Sequence, residues 1–317
     1  MKIINLDASA LNPGDLSWDV LNQFGQVTLY QKTESEEEAI ARIGDHEIVL
    51  TNKVPITETL LNACPNIQLV CVQATGYNIV DTAACARRGI PVCNVPDYGT
   101  AAVAQFTLAL MLELCHRIGY HDAVVHDGKW CRSNTFCFWD TPQMELGGKT
   151  LGIIGFGRIG QAVAKLAQAF GMQVIAHSRS RKESPDAEFV ELDTLLARSD
   201  FISLHCPLFP ENARMVNQEF LSKMKPGAFL INTARGGLLD EQAVADALTT
   251  GQLAGAAVDV VSEEPMKTYN PLLNAPNCII TPHIAWAPKE SRQRLLDCCV
   301  ENIRAYLAGK PRNVVNL

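Results

Sequence analysis

The chain has 317 residues, 47% of them hydrophobic and 19% charged, with a formal net charge of −7. That mild acidity supplies no basic footprint, which argues against nucleic acid or an anionic membrane as the partner. Eleven cysteines, an odd number without any Cys-x-x-Cys, read as free thiols of a reducing cytoplasm rather than a disulfide framework.

From the N-terminus, Lys2 leads straight into a short apolar run, so no signal peptide is expected. Strand-like runs fall at 2–6, 47–51, 67–73 and 91–95, with helical patterns at 35–43, 57–63 and 79–88. Such alternation predicts a parallel sheet with crossover helices. Residues 101–114 form the most apolar segment, broken by Gln105, Thr107 and Glu113. It is too short to span a membrane and reads as a long buried helix joining two domains. His116, His121 and His126 recur every five residues, which does not line one helical face. No Cys or carboxylate cluster completes a metal site there, so no metal is expected.

The next segment, Thr150-Leu-Gly-Ile-Ile-Gly-Phe-Gly-Arg-Ile-Gly160, carries a physical demand as well as a pattern. An apolar strand ends at Gly155; Gly157 and Gly160 complete a G-x-G-x-x-G; a helical pattern over 158–170 follows and stops at Gly171. Glycines so placed allow a tight turn, close approach of backbone to a pyrophosphate, and tight helix–strand packing. The helix N-terminus then offers free N–H groups and its positive dipole end to the phosphates. The second strand, 173–178, ends in Ser178 and Arg179 rather than in the carboxylate that usually binds the ribose hydroxyls of NAD. A short hydroxyl followed by Arg179, Arg181 and Lys182 suits the 2′-phosphate of NADP, since guanidinium grips phosphate through two hydrogen bonds. A solvated basic loop, with NAD used instead, is the alternative.

Further strands are expected at 201–205, 228–232, 254–258 and 278–280. A chain of this length suggests about two domains. The expected architecture is therefore two Rossmann-like or flavodoxin-like α/β domains with parallel sheets separated by a cleft, where ligands bind at the carboxyl ends of the strands. Three segments there carry chemistry: Leu230-Ile-Asn-Thr-Ala-Arg-Gly-Gly237, with glycines leaving space around Arg235; Val258-Asp-Val-Val-Ser-Glu-Glu-Pro265; and Ile280-Thr-Pro-His-Ile-Ala285.

With the fingerprint, the Asn-x-Ala-Arg-Gly, Asp-Val-x-x-x-Glu-Pro and Thr-Pro-His patterns appear in order, and the whole chain resembles the D-2-hydroxyacid dehydrogenase family. The resemblance implies hydride transfer between NAD(P) and a small 2-keto or 2-hydroxy acid. Arg235 would clamp the substrate carboxylate and polarise the keto oxygen. His283 would move the proton, and Glu264 would fix the His283 tautomer. Glu263, one residue off the pattern, reads as solvated. Thr75 and Gly76 would offer backbone N–H groups to the carboxylate.

Implied cofactor contacts are Gly155, Gly157, Gly160, Arg158 and Ile159 at the phosphates, Ser178 and Arg179 at the ribose, and Cys206 and Pro207 near the adenosine. Thr75, Thr233, Ala234, Arg235, Asp259, His283 and Ala285 are implied as well; Asp259 would accept from the carboxamide or simply cap its strand. The last helix, starting at Pro288, would fold back onto the first domain. That gives a substrate-binding domain of 1–99 and 288–317 around a dinucleotide-binding domain of 100–287.

Residues 134–140 before Leu146-Gly-Gly-Lys149 resemble bacterial glycerate dehydrogenases, also called hydroxypyruvate reductases. Trp139 would contact substrate, pack in a homodimer, or do both. Within the same family, formate dehydrogenase-like proteins have an amide where this chain has Glu264. A phosphite dehydrogenase would need extra cations, and none is added near Thr75. A cofactor-sensing dimeric corepressor keeps the same three residues and stands as the non-enzymatic alternative.

Overall fold

The computed structural model describes residues 1–179 and 184–316. The chain divides into two compact units, Met1–Gly99 with Ala287–Leu317, and Thr100–Trp286.

The first unit is built on a parallel sheet of five strands in the order β2-β1-β3-β4-β5. These are β1 (Lys2–Asn5), β2 (Gln26–Leu29), β3 (Ile48–Thr51), β4 (Leu69–Val72) and β5 (Val92–Cys93). β3 (IVLT) and β4 (LVCV) are buried at every position, as continuous apolar strands covered on both faces must be. α1 (Glu36–Ile43), α2 (Glu58–Ala63) and α3 (Thr82–Arg87) cover one face through Ile43, Leu60, Leu61 and Ala84. Each begins at a side chain that accepts from the first turn's backbone: Ser35, Thr57 and Asp81. The returning helix α10 (Lys289–Leu307) packs beside β4 and buries Leu295, Leu296, Cys299, Val300 and Ile303. Its first turn is anchored by Arg292. That guanidinium makes two bonds to Asp15 (2.6 and 2.7 Å) and further ones to the Ala287 and Leu11 carbonyls.

Sequence reading missed β2. It is a partly exposed edge strand, QVTL, and an edge strand needs no continuous apolar run. The expected runs at 67–73 and 91–95 shorten to four and two residues, with backbone hydrogen bonds such as Gln73 N to Thr51 O and Val95 N to Ala74 O continuing beyond the strand ends.

The second unit holds seven parallel strands in the order β12-β11-β10-β9-β6-β7-β8. They are β6 (Thr150–Ile154), β7 (Gln173–His177), β8 (Glu188–Phe189), β9 (Phe201–Leu204), β10 (Ala228–Asn232), β11 (Leu253–Val258) and β12 (Cys278–Ile280). Here too the short edge strand, β8, went unread. α4 (Thr100–His116) opens the unit and packs along α6 (Arg158–Ala169), with Ala104, Leu108, Val163, Ala164 and Ala167 in their shared core. α5 (Ile118–His126) follows a left-handed Arg117 and has no buried residue, despite an apolar composition. α7 (Leu192–Arg198), α8 (Gln218–Lys223) and α9 (Glu241–Thr250) cover the other face of the sheet.

No single helix among the described residues is long and apolar enough to cross a membrane; α4 and α5 approach that length only as a pair bent by 57°. All eleven cysteines are free thiols.

Candidate active site

β6 is flanked by β9 on one side and β7 on the other, where the chain order of the sheet reverses. Parallel α/β sheets bind ligands at such a switch point. Gly155, just past β6, takes φ +96°, and a Cβ there would strike the backbone of His205 and Cys206 beyond β9. Gly160 lies against the Gly155 carbonyl, which draws α6 onto β6. At Gly157, the N-cap of α6, nothing stands within 4 Å of a would-be Cβ. That face of the turn is open, with Arg158 exposed and Ile159 half-buried in the first helical turn. The arrangement has the room and the N–H donors that a pyrophosphate requires.

On the β7 side, the Arg179 guanidinium lies over the Phe209 ring, 4.5 Å from its centroid, a cation–π contact that limits where the charge can point. Cys206 and Pro207 belong to the same loop. Burial pushes the Cys206 thiol up, while the nearby Arg179 charge draws it down. Asn212 shapes this loop: its Oδ1 accepts from Phe209 N (2.6 Å) and its Nδ2 donates to Pro207 O (2.8 Å). Phe209 and Asn212 escaped sequence reading because neither belongs to a motif. Arg181, expected beside Arg179, lies outside the described residues. Next to Cys206, His205 Nε2 meets Ser203 Oγ at 2.8 Å, and burial pushes this imidazole down to about 4.

On the other side of the switch point, β10, β11 and β12 deliver Arg235, Glu264 and His283 from adjacent strand ends. Asn232 closes β10: its Oδ1 accepts from Ala234 N (3.0 Å) and its Nδ2 donates to Arg235 O (2.9 Å). The exposed Arg235 side chain donates from Nη1 to Ala234 O at 2.7 Å. Sequence reading gave the flanking glycines the task of leaving space around Arg235; the structure corrects this. A Cβ on Gly236 would collide with the Val261 carbonyl, so the bare Cα lets the β10 and β11 loops touch. Gly237 similarly accommodates the Leu208 side chain.

In the β11 loop, Glu264 Oε1 accepts from Val261 N (3.3 Å), and Oε2 meets His283 Nδ1 at 2.7 Å. Glu241 braces the same loop, accepting from Ser262 N, Ser262 Oγ and Asn270 Nδ2. Glu263 is exposed and pairs with Lys267. His283 sits at φ +55°, an unusual conformation for a residue with a Cβ. Buried Asp259 holds it there: its carboxylate accepts from Thr281 Oγ1 (2.6 Å), Ile284 N (2.9 Å) and Ala285 N (2.8 Å). The Asp259 carboxylate and the Ala285 N–H, both implied cofactor contacts, are thus bonded to each other. The Thr233 hydroxyl likewise meets Thr107 Oγ1 on α4, at 3.1 Å.

In the first unit, Thr75 and Gly76 follow β4. Thr75 Oγ1 donates to Val95 O and its carbonyl accepts from Asn94 Nδ2, which leaves the loop's amides as its available groups. Asn52 Nδ2 donates to Gln73 O at 2.6 Å, joining the Lys53 loop to this segment. Trp139 is 66% exposed in the second unit, where it lines a shallow groove with Ile118, His121 and Phe138. Among the described residues no group of three or more His, Cys, Asp or Glu side chains is placed to hold a metal ion.

An open glycine turn at a helix N-terminus, next to strand ends bearing an arginine and a Glu–His pair, defines a dinucleotide-dependent oxidoreductase of the two-unit α/β class. Residues 108–285 match the family described as D-isomer specific 2-hydroxyacid dehydrogenase, NAD binding domain. The chain is 54% identical to the hydroxypyruvate reductase of Blautia hydrogenotrophica over the full length of both, and 42% identical to the glycerate dehydrogenase of Methylorubrum extorquens over 99% and 98%. A solved NADPH-dependent glyoxylate/hydroxypyruvate reductase from Sinorhizobium meliloti superposes with a TM-score of 0.85 at 28% identity, covering 99% of this chain and 97% of that one. The chain belongs to the D-isomer specific 2-hydroxyacid dehydrogenase family.

Two outcomes test the site's construction. Gly236→Ala forces the β10 and β11 loops apart, and displacing Arg235 on the ångström scale lowers kcat by roughly 10²; an unchanged kcat would show that the loop contact is dispensable. For His205, the folded value of about 4 lies below the ordinary 6.5, so the unfolded chain binds the extra proton between those values. Stability present above about pH 6.5 is then lost as pH falls toward 4. In thermal melts between about pH 7 and pH 5, His205→Gln flattens the decline in Tm; parallel declines in both proteins would remove His205 as the cause.

Proposed function

We propose that the chain reduces small 2-keto acids, hydroxypyruvate first and glyoxylate also, to D-glycerate and glycolate, with NADPH preferred over NADH. The names of its two long-matching relatives support the substrate class. The observation that carries the reading is the 2.7 Å bond between His283 Nδ1 and Glu264 Oε2, standing one strand from an arginine whose loop touches the glutamate's own.

Glu264 engages Nδ1, so Nε2 is the nitrogen that faces a substrate. In reduction, protonated His283 gives its Nε2 proton to the keto oxygen, and Glu264 stabilises the imidazolium beforehand. Arg235 keeps one Nη on the Ala234 carbonyl, and its remaining donors take the substrate carboxylate and the oxygen on which negative charge grows. The Thr75–Gly76 amides of the first unit are the backbone donors we assign to carboxylate binding. Bound NAD(P)H supplies the hydride, the second unit serving as the dinucleotide domain and the first as the substrate domain. One hydride and one proton turn R–CO–COO⁻ into R–CHOH–COO⁻.

Arg179, held over Phe209 beside Cys206, is the charge we assign to a 2′-phosphate, with Ser178 as hydroxyl partner. The apolar but unburied α5, with Trp130, Phe136 and Trp139 exposed nearby, suits a second copy of this chain, making the enzyme a homodimer. Eleven free thiols fit a cytoplasmic setting.

His283→Ala lowers kcat by ~10²–10⁴ while titration of NADPH fluorescence shows cofactor binding retained. Loss of binding with chemistry preserved would reassign the residue to a structural part. For the cofactor, steady-state kinetics give NADPH a kcat/KM advantage of about tenfold, ~1.4 kcal/mol. Ser178→Asp with Arg179→Ala reverses it, by repelling the phosphate and supplying a ribose acceptor. A clear NADH preference in the native protein would sink this part of the reading and leave the dehydrogenase intact.

A further inference from the structure

The connection from β10 to α9 touches the Glu264 loop at two points. Gly236 lies against Val261 and Ser262. Further along, Glu241 opens α9 and accepts three hydrogen bonds from the segment between β11 and β12. Its Oε1 takes Ser262 N (2.8 Å), and its Oε2 takes Ser262 Oγ (2.7 Å) and Asn270 Nδ2 (3.0 Å). All three donors are neutral. Ser262 stands between Val261, whose N–H reaches Glu264 Oε1 at 3.3 Å, and Glu264 itself. Holding both donors of Ser262 therefore fixes the turn from which Glu264 Oε2 meets His283 Nδ1 at 2.7 Å. The other charged groups at these strand ends are Arg235, Asp259 and Glu263. Asp259 is taken up by Thr281, Ile284 and Ala285, Glu263 pairs with Lys267, and Arg235 donates to the Ala234 carbonyl. Glu264 is thus the anion bonded to the His283 ring.

We propose that Glu241 is a positioning residue of the reaction: through Ser262 it keeps Glu264 on His283 and so widens the pH range over which His283 donates its proton. This rests on the reading above, in which protonated His283 is the acid in reduction. A carboxylate in hydrogen-bond contact stabilises the imidazolium, and the benefit falls as the two groups separate and water enters. A carboxylate suits the clamp because it accepts from several donors at once, whereas an amide would turn its own N–H groups toward Asn270 Nδ2. Loosening the loop therefore slows reduction most at high pH, where protons are scarce. At low pH, where the imidazole is protonated without help, it matters least.

The test follows kcat/KM for hydroxypyruvate across pH, with saturating NADPH, in wild type, Glu241→Ala, Glu241→Gln and Ser262→Ala, with Glu264→Gln as the reference. In Glu241→Ala the alkaline limb moves down by about one pH unit, which lowers kcat/KM about tenfold above the limb and little below it. Glu241→Gln recovers most of the shift, because its Oε1 still accepts from Ser262 N and the Ser262 hydroxyl can accept from the amide. Ser262→Ala keeps the backbone bond and shows a smaller shift in the same direction; it decides the matter if Glu241→Ala does not fold. Titration of NADPH fluorescence shows cofactor binding retained in each variant. A loss of equal size at every pH would make Glu241 a merely structural group and overturn the proposal. So would an unmoved limb in Glu241→Ala and Ser262→Ala while Glu264→Gln shifts it. An unmoved limb in Glu264→Gln, or a wild type that does not reduce the acid, would instead overturn the reading on which the proposal rests.

Discussion

The chemistry-bearing half of the second unit depends on one buried carboxylate. Asp259 ends β11, and through Thr281, Ile284 and Ala285 it gathers the segment that carries His283. The backbone follows suit, with His283 N donating to Asp259 O and Asp259 N to Asn232 O. His283 is left in a left-handed conformation that an unconstrained residue with a Cβ avoids. Those three bonds to one anion offset the strain and aim the ring at Glu264. A carboxylate so engaged is an organiser of the site before it is anything else.

A second constraint makes the organised segment useful. The bare Cα of Gly236 lets the Arg235 loop rest on Val261, the residue whose N–H also bonds Glu264. Arg235, Glu264 and His283 are therefore positioned by a contiguous set of backbone contacts, with Asn232 and Glu241 bracing the two loops from either side. Adjacent parallel strands deliver their ends to the same edge, so three short loops suffice to bring together residues 29 and 19 positions apart in the chain.

How much of this was legible depended on whether a residue works through its own chemistry or through its neighbours. The G-x-G-x-x-G, the strands around it, and Arg235, Glu264 and His283 all announce themselves by type and spacing, and the structure sets the three on successive strand ends. The edge strands β2 and β8 left no pattern because half-exposed positions need not be apolar. Asp259 could be read either as a ligand contact or as a strand-end cap, because a strand-end carboxylate looks the same in sequence whether it faces a ligand or folds a loop. Gly236 was understood as empty space, when its function is to be filled by another backbone. Phe209 became relevant only when the fold placed it under Arg179.

The charge distribution shows why net composition is a poor guide to ligands. The chain is acidic overall, yet the two arginines proposed to take anions are each restrained by a different device. Arg235 is held by a carbonyl and Arg179 by an aromatic face. The helix N-terminus beyond Gly157 adds partial positive charge without any side chain. An overall negative charge thus argues against a polyanion, which needs a broad basic face, and remains compatible with small anions, which respond only to the few groups placed around them.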